Sequence, residues 1–147
     1  MGSRMLILRT LLLLIGAFHI FVGVGVNVSP EFPKLMATYY GATGVDWTGQ
    51  FVYMLRPLGA FMFVMGLLAA VAAMNPIKHR AICYAFSALF IIRGLQRIVF
   101  QDDIQAAFGI APGRNMINMA FFIGLGVVLL IFHALAAMQS RKAAKSK

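Results

Sequence analysis

Four apolar stretches, each long enough to cross a lipid bilayer as a helix, occupy most of the 147-residue sequence. A helix needs about 20 apolar residues to span the hydrocarbon core. The stretches cover approximately residues 5–28, 51–74, 81–100 and 115–138. Only 12% of the residues are charged, against about a quarter in a typical soluble domain, so little sequence is left for a water-soluble core. We therefore predict an all-α integral membrane four-helix bundle, with residues 1–147 as a single transmembrane domain.

The connections between the four spans indicate how the helices are arranged. The later connections are short, which places neighbouring helices antiparallel. The first connection, residues 29–50, is long for a bundle, and its segment FPKLMATYY is typical of a short helix lying in the membrane interface. Small residues four positions apart allow close helix contact, and the spans contain two such pairs, Gly66 with Ala70 and Ala120 with Gly124.

The distribution of Lys and Arg predicts the orientation of the bundle, because short cytoplasmic loops carry an excess of these residues. One side of the predicted bundle carries eight of them: Arg4, Arg9, Lys78, Arg80, Arg141, Lys142, Lys145 and Lys147. The loops on the other side carry Lys34 and Arg114, together with all four acidic residues, Glu31, Asp46, Asp102 and Asp103. We therefore expect both termini in the cytoplasm and residues 139–147 as a basic cytoplasmic tail.

Composition and motifs argue against several classes of function. The net charge is +9, but no Lys/Arg run is interleaved with aromatic residues, so nucleic acid is not expected as a partner. Cys83 is the only cysteine, which excludes an intrachain disulfide and a cysteine-rich metal site. The sequence contains no hydrolytic triad, HExxH motif or phosphate-binding glycine loop. We expect neither a metal site nor a stand-alone enzyme.

The third span contains the stretch FIIRGLQRIVF, in which Arg93, Gln96 and Arg97 interrupt an apolar run. Spacings of three and four residues put these side chains on one helix face. Because charged groups are costly in hydrocarbon, this face is expected to point into the bundle. Asn115 and Asn118, at the start of the fourth span, are candidates to cap that helix or to line the same interior.

Depth estimates bring two further residues to the same level of the bilayer. At about 1.5 Å per residue, Arg56 lies roughly 8 Å, Arg93 roughly 10 Å and His19 roughly 13 Å from the outer ends of their spans. Three helices thus place cationic or imidazole groups in the outer half of the membrane. The sequence therefore predicts a polar cluster of Arg56, Arg93, Gln96, Arg97 and His19.

Two interpretations of this cluster remain open. In the structural interpretation, the four acidic residues of the outer side form ion pairs with the arginines, whose planar guanidinium groups suit carboxylates. In the functional interpretation, the arginines surround an anionic or carbonyl-bearing ligand, such as a lipid phosphate, a quinone oxygen or a small carboxylate. A bound lipid or quinone is then the expected cofactor.

His19 also has two interpretations. A buried histidine commonly satisfies its ring through hydrogen bonds inside the bundle. Alternatively, Gly16 and Gly23 flank it on one helix face and leave room for a flat macrocycle, with His19 as the axial ligand to haem or chlorophyll. His133 is disfavoured as a second ligand, because it lies near the cytoplasmic end of the fourth span, roughly 10 Å away in depth.

The features of the second and third spans resemble the DoxX-like group of small bacterial membrane proteins. The resemblance lies in four short-looped spans, with RPLGAFMFVMGLL opening the second and FIIRGLQRIVF closing the third, over about residues 9–137. It implies a four-helix bundle, a location in the bacterial inner membrane and a connection to quinones, and it supplies no catalytic residues. The single Cys83 departs from relatives that work through thiols.

Two hypotheses of function follow. The first is a small non-catalytic subunit of a larger membrane complex that handles electrons or pigments, because nearly all of the chain lies within the bilayer. Its partners would be membrane lipids and other membrane subunits, or further copies of this chain. The alternative is a stand-alone DoxX-like protein that binds or transports a quinone-like or small anionic ligand through the arginine cluster.

Overall fold

The computed structural model describes residues 3–145, and side chains as far as Lys142. These residues form six helices: α1 (Ser3–Val28), α2 (Glu31–Tyr39), α3 (Gly49–Met74), α4 (Arg80–Val99), α5 (Gln101–Phe108) and α6 (Pro112–Lys145). Four of them, α1, α3, α4 and α6, are long and apolar enough to cross a membrane. The chain is a transmembrane helical protein, and the predicted all-α bundle is confirmed. Residues 1, 2, 146 and 147 of the predicted domain and tail lie outside the described residues.

The four long helices form a ring in chain order. Helix α1 packs along α3, α4 packs along α6, and smaller contacts between α1 and α6 and between α3 and α4 close the ring. Neighbouring helices are antiparallel, as predicted. We call the end of the bundle that carries α2 and α5 the loop end, and the opposite end, where α1 begins and α6 finishes, the terminal end.

Glycines bring α1 and α3 into backbone contact. A Cβ atom on Gly23 would lie 2.5 Å from the Phe63 nitrogen and 2.7 Å from the Gly59 oxygen. A Cβ on Gly66 would lie 2.8 Å from the Gly16 oxygen, so the predicted close contact at Gly66 is confirmed. Small residues that admit a neighbouring backbone in this way are typical of membrane helix interfaces.

The contact between α4 and α6 uses different glycines from those predicted. Gly124 has no neighbouring atom within 4 Å of its Cβ position, so its predicted role in helix packing is wrong. Instead, a Cβ on Gly94 would collide with the side chain of Ile123, and a Cβ on Gly126 would lie 2.8 Å from the Ser87 oxygen. Gly124 and Gly126 are two residues apart, so they face in different directions on the helix.

The loop end contains α2, as predicted, and α5, which was not predicted. The chain leaves the helical conformation at Phe100, with φ −108° and ψ 31°, and then starts a new helix. Asp102 and Asp103 lie in the first turn of α5, where carboxylates interact favourably with the helix dipole. Gly109 ends α5 in the left-handed conformation with φ 65°, which a glycine adopts without strain.

Hydrogen bonds fasten α2 to α5 and α6. The Thr43 nitrogen donates to the Phe108 oxygen at 2.9 Å, and its hydroxyl donates to the Gly109 oxygen at 3.0 Å. Arg114 donates to the Tyr39 oxygen at 2.6 Å. Asn118 donates to the Tyr40 oxygen at 2.9 Å. These bonds hold the C-terminal end of α2 against the start of α6.

Helix α6 is longer than the predicted span of residues 115–138. It begins at Pro112, a residue favoured at the first position of a helix. It continues through residues 139–145, the described part of the predicted basic tail, because Gln, Arg, Lys and Ala are strong helix formers.

Apolar side chains form most of the buried interior. The most deeply buried of them lie mainly toward the terminal end: Leu8, Leu12, Ala69, Ala72, Ala73, Cys83, Phe86, Leu129 and Ala136. Buried polar side chains occur in both halves of the bundle: His19, Asn115 and Asn118 toward the loop end, and Ser87 and His133 toward the terminal end. Of the predicted polar cluster, His19 is fully buried, in the half nearer α2 and α5.

Candidate functional site

A cavity of about 510 Å³ lies between α1 and α6 and reaches α4 and the end of α2. Sites for small molecules commonly have volumes of about 300–1,000 Å³. Most of the lining is apolar or aromatic: Leu11, Leu14, Ile15, Phe18, Tyr39, Tyr40, Phe90, Ile117, Phe121, Phe122 and Leu125. The polar residues of the lining are His19, Arg93, Arg114 and Asn118. An apolar enclosure with a few polar groups is the usual composition of a ligand site.

A stack of three aromatic rings crosses the polar side of the cavity. The Phe122 ring lies parallel to the Phe90 ring at 6.4 Å between centroids, and parallel to the Tyr40 ring at 6.2 Å. Arg93 and Arg97 place their guanidinium carbons 4.5 Å and 5.7 Å from the centroid of Phe122. Cation–π contacts of this kind stabilise arginine in an apolar environment.

Arg97 is held by an amide. Its Nη1 donates to the Oδ1 atom of Asn115 at 2.7 Å, and Asn115 Nδ2 donates back to the Arg97 backbone oxygen at 2.8 Å. Asn115 is 2% exposed. This reciprocal pair joins the end of α4 to the start of α6, so Arg97 has a structural role.

Arg93 lies one turn deeper and has no such partner. Its guanidinium group rests on the Phe122 ring, and within residues 3–142 it forms no hydrogen bond and no ion pair. Because it lines the cavity, its N–H donors are available to a molecule that enters there. A guanidinium group has five N–H donors and prefers carboxylate, phosphate or carbonyl oxygens.

The predicted ion pairs with the outer-side acids are wrong. In the part of the chain that the structure describes, Glu31 pairs with Lys34 at 2.8 Å, and no acid pairs with Arg56, Arg93 or Arg97. Asp46, Asp102 and Asp103 are exposed. The bend at Phe100 starts α5, which turns the two aspartates into the first turn of a separate surface helix and away from the arginines.

Arg56 does not join the cluster. Its side chain is exposed and lines a second cavity of about 350 Å³, together with Lys34, Trp47 and Tyr53. The Cβ position of Gly59 already contacts Val26 and Asn27, close to the end of α1 at Val28. Arg56 lies one turn further toward the loop end, so it extends beyond the helix that was expected to cover it.

Gln96 is also exposed, and its predicted inward position is wrong. The inward face of α4 at this level is marked by the buried residues Phe90 and Gly94. At 100° per residue, Arg93 and Arg97 fall at the edge of that face, and Gln96 falls beyond Arg93 on the lipid-facing side.

His19 occupies the deep side of the cavity with one ring nitrogen satisfied. The side chain is 2% exposed, and its Nδ1 atom lies 2.8 Å from the Ile15 oxygen. The Nε2 atom is buried and has no hydrogen-bond partner among the described residues. The predicted internal hydrogen bond is thus present, but it satisfies only half of the ring.

The glycine patch expected beside His19 is filled. Gly16 and Gly23 lie against the backbone of α3, so they leave no flat surface for a haem or chlorophyll macrocycle. His133 is buried elsewhere, edge-on to Tyr84 at 4.8 Å, and does not line this cavity. No group of three metal-ligating side chains occurs within the described residues.

The aromatic stack of Tyr40, Phe122 and Phe90 was not predicted from the sequence. A signal exists, because Phe122 follows Asn118 by four residues and Asn115 by seven, which places it on the same face of α6. Phe90 likewise precedes Arg93 by three residues on α4.

Comparison with known proteins found no matching family model, no matching curated protein and no matching solved structure. The resemblance to the DoxX-like group therefore stays a prediction.

Proposed function

We propose that this protein binds an amphiphilic molecule in the cavity between α1 and α6, with the oxygen-bearing headgroup of the ligand at Arg93. The observation that carries the proposal is an arginine that lines a cavity of ligand size and has no polar partner among residues 3–142. A quinone oxygen, a lipid phosphate and a carboxylate share the acceptor oxygen that Arg93 would bind.

The electrostatics of the cavity support an acceptor or anionic headgroup. Arg93 and Arg97 both lie over Phe122, Arg97 is bonded to the neutral Asn115, and no carboxylate of the described residues pairs with either arginine. Two neighbouring cations in an apolar environment repel each other. An oxygen-rich headgroup bound in the cavity beside Arg93 would lower the free-energy cost of this repulsion.

The rest of the cavity suits an apolar tail. Leu14, Phe18, Ile117 and Phe121 line it and are 63%, 43%, 61% and 60% exposed. These side chains lie on membrane-spanning helices, so the cavity opens sideways toward the lipid tails. A ligand would enter from the bilayer, with its tail along α1 and α6 and its headgroup toward the loop end. With the termini in the cytoplasm, as the charges predict, the headgroup would lie in the outer leaflet.

Mass spectrometry of the purified protein tests this function. The wild type, Arg93→Ala and Arg56→Ala are purified in a mild detergent, and the amphiphiles extracted from each are quantified per mole of protein. We expect purified Arg93→Ala to contain at least about tenfold less of one amphiphile than the wild type, because its charge-assisted hydrogen bonds to the headgroup are lost. Arg56→Ala is the matched control, because it removes an arginine outside the cavity. Equal amounts of every species in all three proteins would refute the proposal.

The hypothesis of a non-catalytic subunit in an electron-transfer or pigment-containing complex is tested with the same sample. Native mass measurement and an absorption spectrum distinguish the two functions. Larger membrane partners or pigment that co-purify with the chain would favour the subunit. A colourless monomer or homo-oligomer carrying an amphiphile would favour the binding protein.

A further inference from the structure

His19 lines the cavity and carries a ring nitrogen that the proposed function leaves unused. Its Nδ1 atom lies 2.8 Å from the Ile15 carbonyl oxygen, which can only accept a hydrogen bond. Nδ1 therefore carries the ring hydrogen, and in the neutral imidazole Nε2 is an acceptor. This Nε2 atom is buried, and no described residue donates to it. Buried polar atoms are nearly always hydrogen-bonded, so an unpaired acceptor beside a cavity points to a missing donor.

The aromatic rings that pack against His19 do not supply that donor. The rings of Phe18, Phe86 and Phe90 meet the His19 ring edge-on, at 5.9, 5.7 and 6.0 Å between centroids. None of the three carries a polar hydrogen. Phe86 and Phe90 are 0% and 3% exposed, whereas Phe18 is 43% exposed and lines the cavity. Phe18 is therefore the ring that can shift to admit a ligand atom to Nε2.

We infer that the cavity selects a headgroup with a hydroxyl group, such as a phenol or a hydroquinone, that donates to His19 Nε2 and accepts from Arg93. This inference rests on the proposed function and narrows its ligand class. A headgroup with acceptors alone, such as a quinone, an ether or a phosphate diester, satisfies Arg93 and leaves Nε2 unpaired. A hydroxyl-bearing headgroup satisfies both, and an unpaired buried acceptor is costly.

A continuous series of ring contacts connects the two polar groups, which both line the cavity. His19 meets the Phe90 ring edge-on, Arg93 lies over the Phe122 ring, and Phe90 and Phe122 are parallel at 6.4 Å. An aromatic headgroup suits these surroundings, because its faces and edges can contact the phenylalanine rings.

A pair of probes that differ in one hydrogen-bond donor tests the selectivity. The purified protein in phosphatidylcholine nanodiscs is titrated with 4-octylphenol and with 4-octylanisole, its methyl ether. We expect the phenol to bind at least about tenfold more tightly to the wild type. His19→Gln retains an acceptor and should keep part of the preference, whereas His19→Phe should abolish it. His133→Phe is the control and should leave the preference unchanged, because His133 does not line the cavity.

The outcomes separate this inference from the proposed function. Equal binding of the two probes to the wild type, with weaker binding of both to Arg93→Ala, would overturn the hydroxyl selectivity and leave the proposed function intact. Such a result would mean that water satisfies Nε2. Absence of binding by both probes, together with unchanged amphiphile content in Arg93→Ala, would overturn both. Should His19→Phe fail to fold, the wild-type ratio and His19→Gln decide the question.

Discussion

Helix α1 has two neighbours in the ring, and its interfaces with them differ. Against α3 it presents Gly16 and Gly23, and the two backbones are in contact. Against α6 it presents large side chains, including Leu14 and Phe18, and over part of their length a cavity of about 510 Å³ lies between the two helices. One helix thus forms a tight interface and a loose one on adjacent faces.

The difference shows how this bundle makes room for a ligand. Without a hydrophobic driving force between helices in lipid, close packing depends on small residues that let backbones approach. The glycines seal α1 to α3 and fix its rotation, which directs the neighbouring face with His19 toward α6. The cavity is therefore a consequence of where the small residues lie. This explanation can be tested by substitutions at either interface.

The largest effect is expected from Gly23→Ala at the tight interface. The new Cβ would lie 2.5 Å from the Phe63 nitrogen, and backbone atoms cannot move aside without separating the helices. We expect a loss of about 3 kcal/mol in the free energy of unfolding, measured by SDS titration in mixed micelles.

Gly124→Ala is the control for this substitution, because its Cβ position has no neighbour within 4 Å. It should be neutral or stabilising by up to about 1 kcal/mol, since alanine is the better helix former. Equal stability of the two variants would contradict the tight α1–α3 interface.

An intermediate effect is expected from Asn115→Ala, which lies in the contact between α4 and α6 next to the cavity-lining part of α6. The substitution removes both hydrogen bonds to Arg97 and leaves a half-buried guanidinium group without its amide partner. We expect a loss of about 2 kcal/mol in the same assay. Asn118→Ala, which loses one bond to the Tyr40 oxygen, should cost about 1 kcal/mol. If Asn115→Ala is no more harmful than Asn118→Ala, the structural role assigned to Arg97 is wrong.

The smallest effect on stability, with a clear effect on binding, is expected from Leu14→Trp in the loose interface. Leu14 is 63% exposed and lines the cavity, so the larger ring can occupy the space of the ligand tail without disturbing the core. The free energy of unfolding should change by no more than about 0.5 kcal/mol. The content of co-purified amphiphile should fall about tenfold, measured by mass spectrometry.

Leu13→Trp is the matched variant for this experiment. Leu13 is the preceding residue, is 53% exposed and does not line the cavity. It should retain the amphiphile content of the wild type. Equal loss in both variants would mean that the ligand, if present, binds elsewhere.

Much of the fold could be predicted from the sequence, because it depends on local properties. Hydropathy over about 20 residues locates a span, and the four predicted spans correspond to α1, α3, α4 and α6. The helical period also indicated that Arg93 and Arg97 face away from lipid. A charged side chain that faced the hydrocarbon would be costly, so arginines in a membrane-spanning helix have few other directions in which to point.

The glycine spacing shows a limit of this approach. Gly16 and Gly23 are seven residues apart in α1, and Gly59 and Gly66 are seven apart in α3. When α1 is considered alone, its glycine pair suggests a surface for a macrocycle. When α1 and α3 are considered together, the equal spacing indicates an antiparallel contact between the two pairs, and the structure shows that contact. The glycines of α3 therefore decide between the two interpretations.

The sequence by itself thus determined that this protein is a membrane-spanning helical bundle with arginines and a histidine inside it. Tertiary structure decided which of these groups meet. Arg56 falls outside because α1 ends at Val28, and Arg97 is satisfied by Asn115 because the bend at Phe100 carries the aspartates away. Arg93 and His19 share a cavity because α1 and α6 are not closely packed at the level of these two side chains. Such pairings depend on helix rotation and on where neighbouring helices end, and no local pattern specifies either.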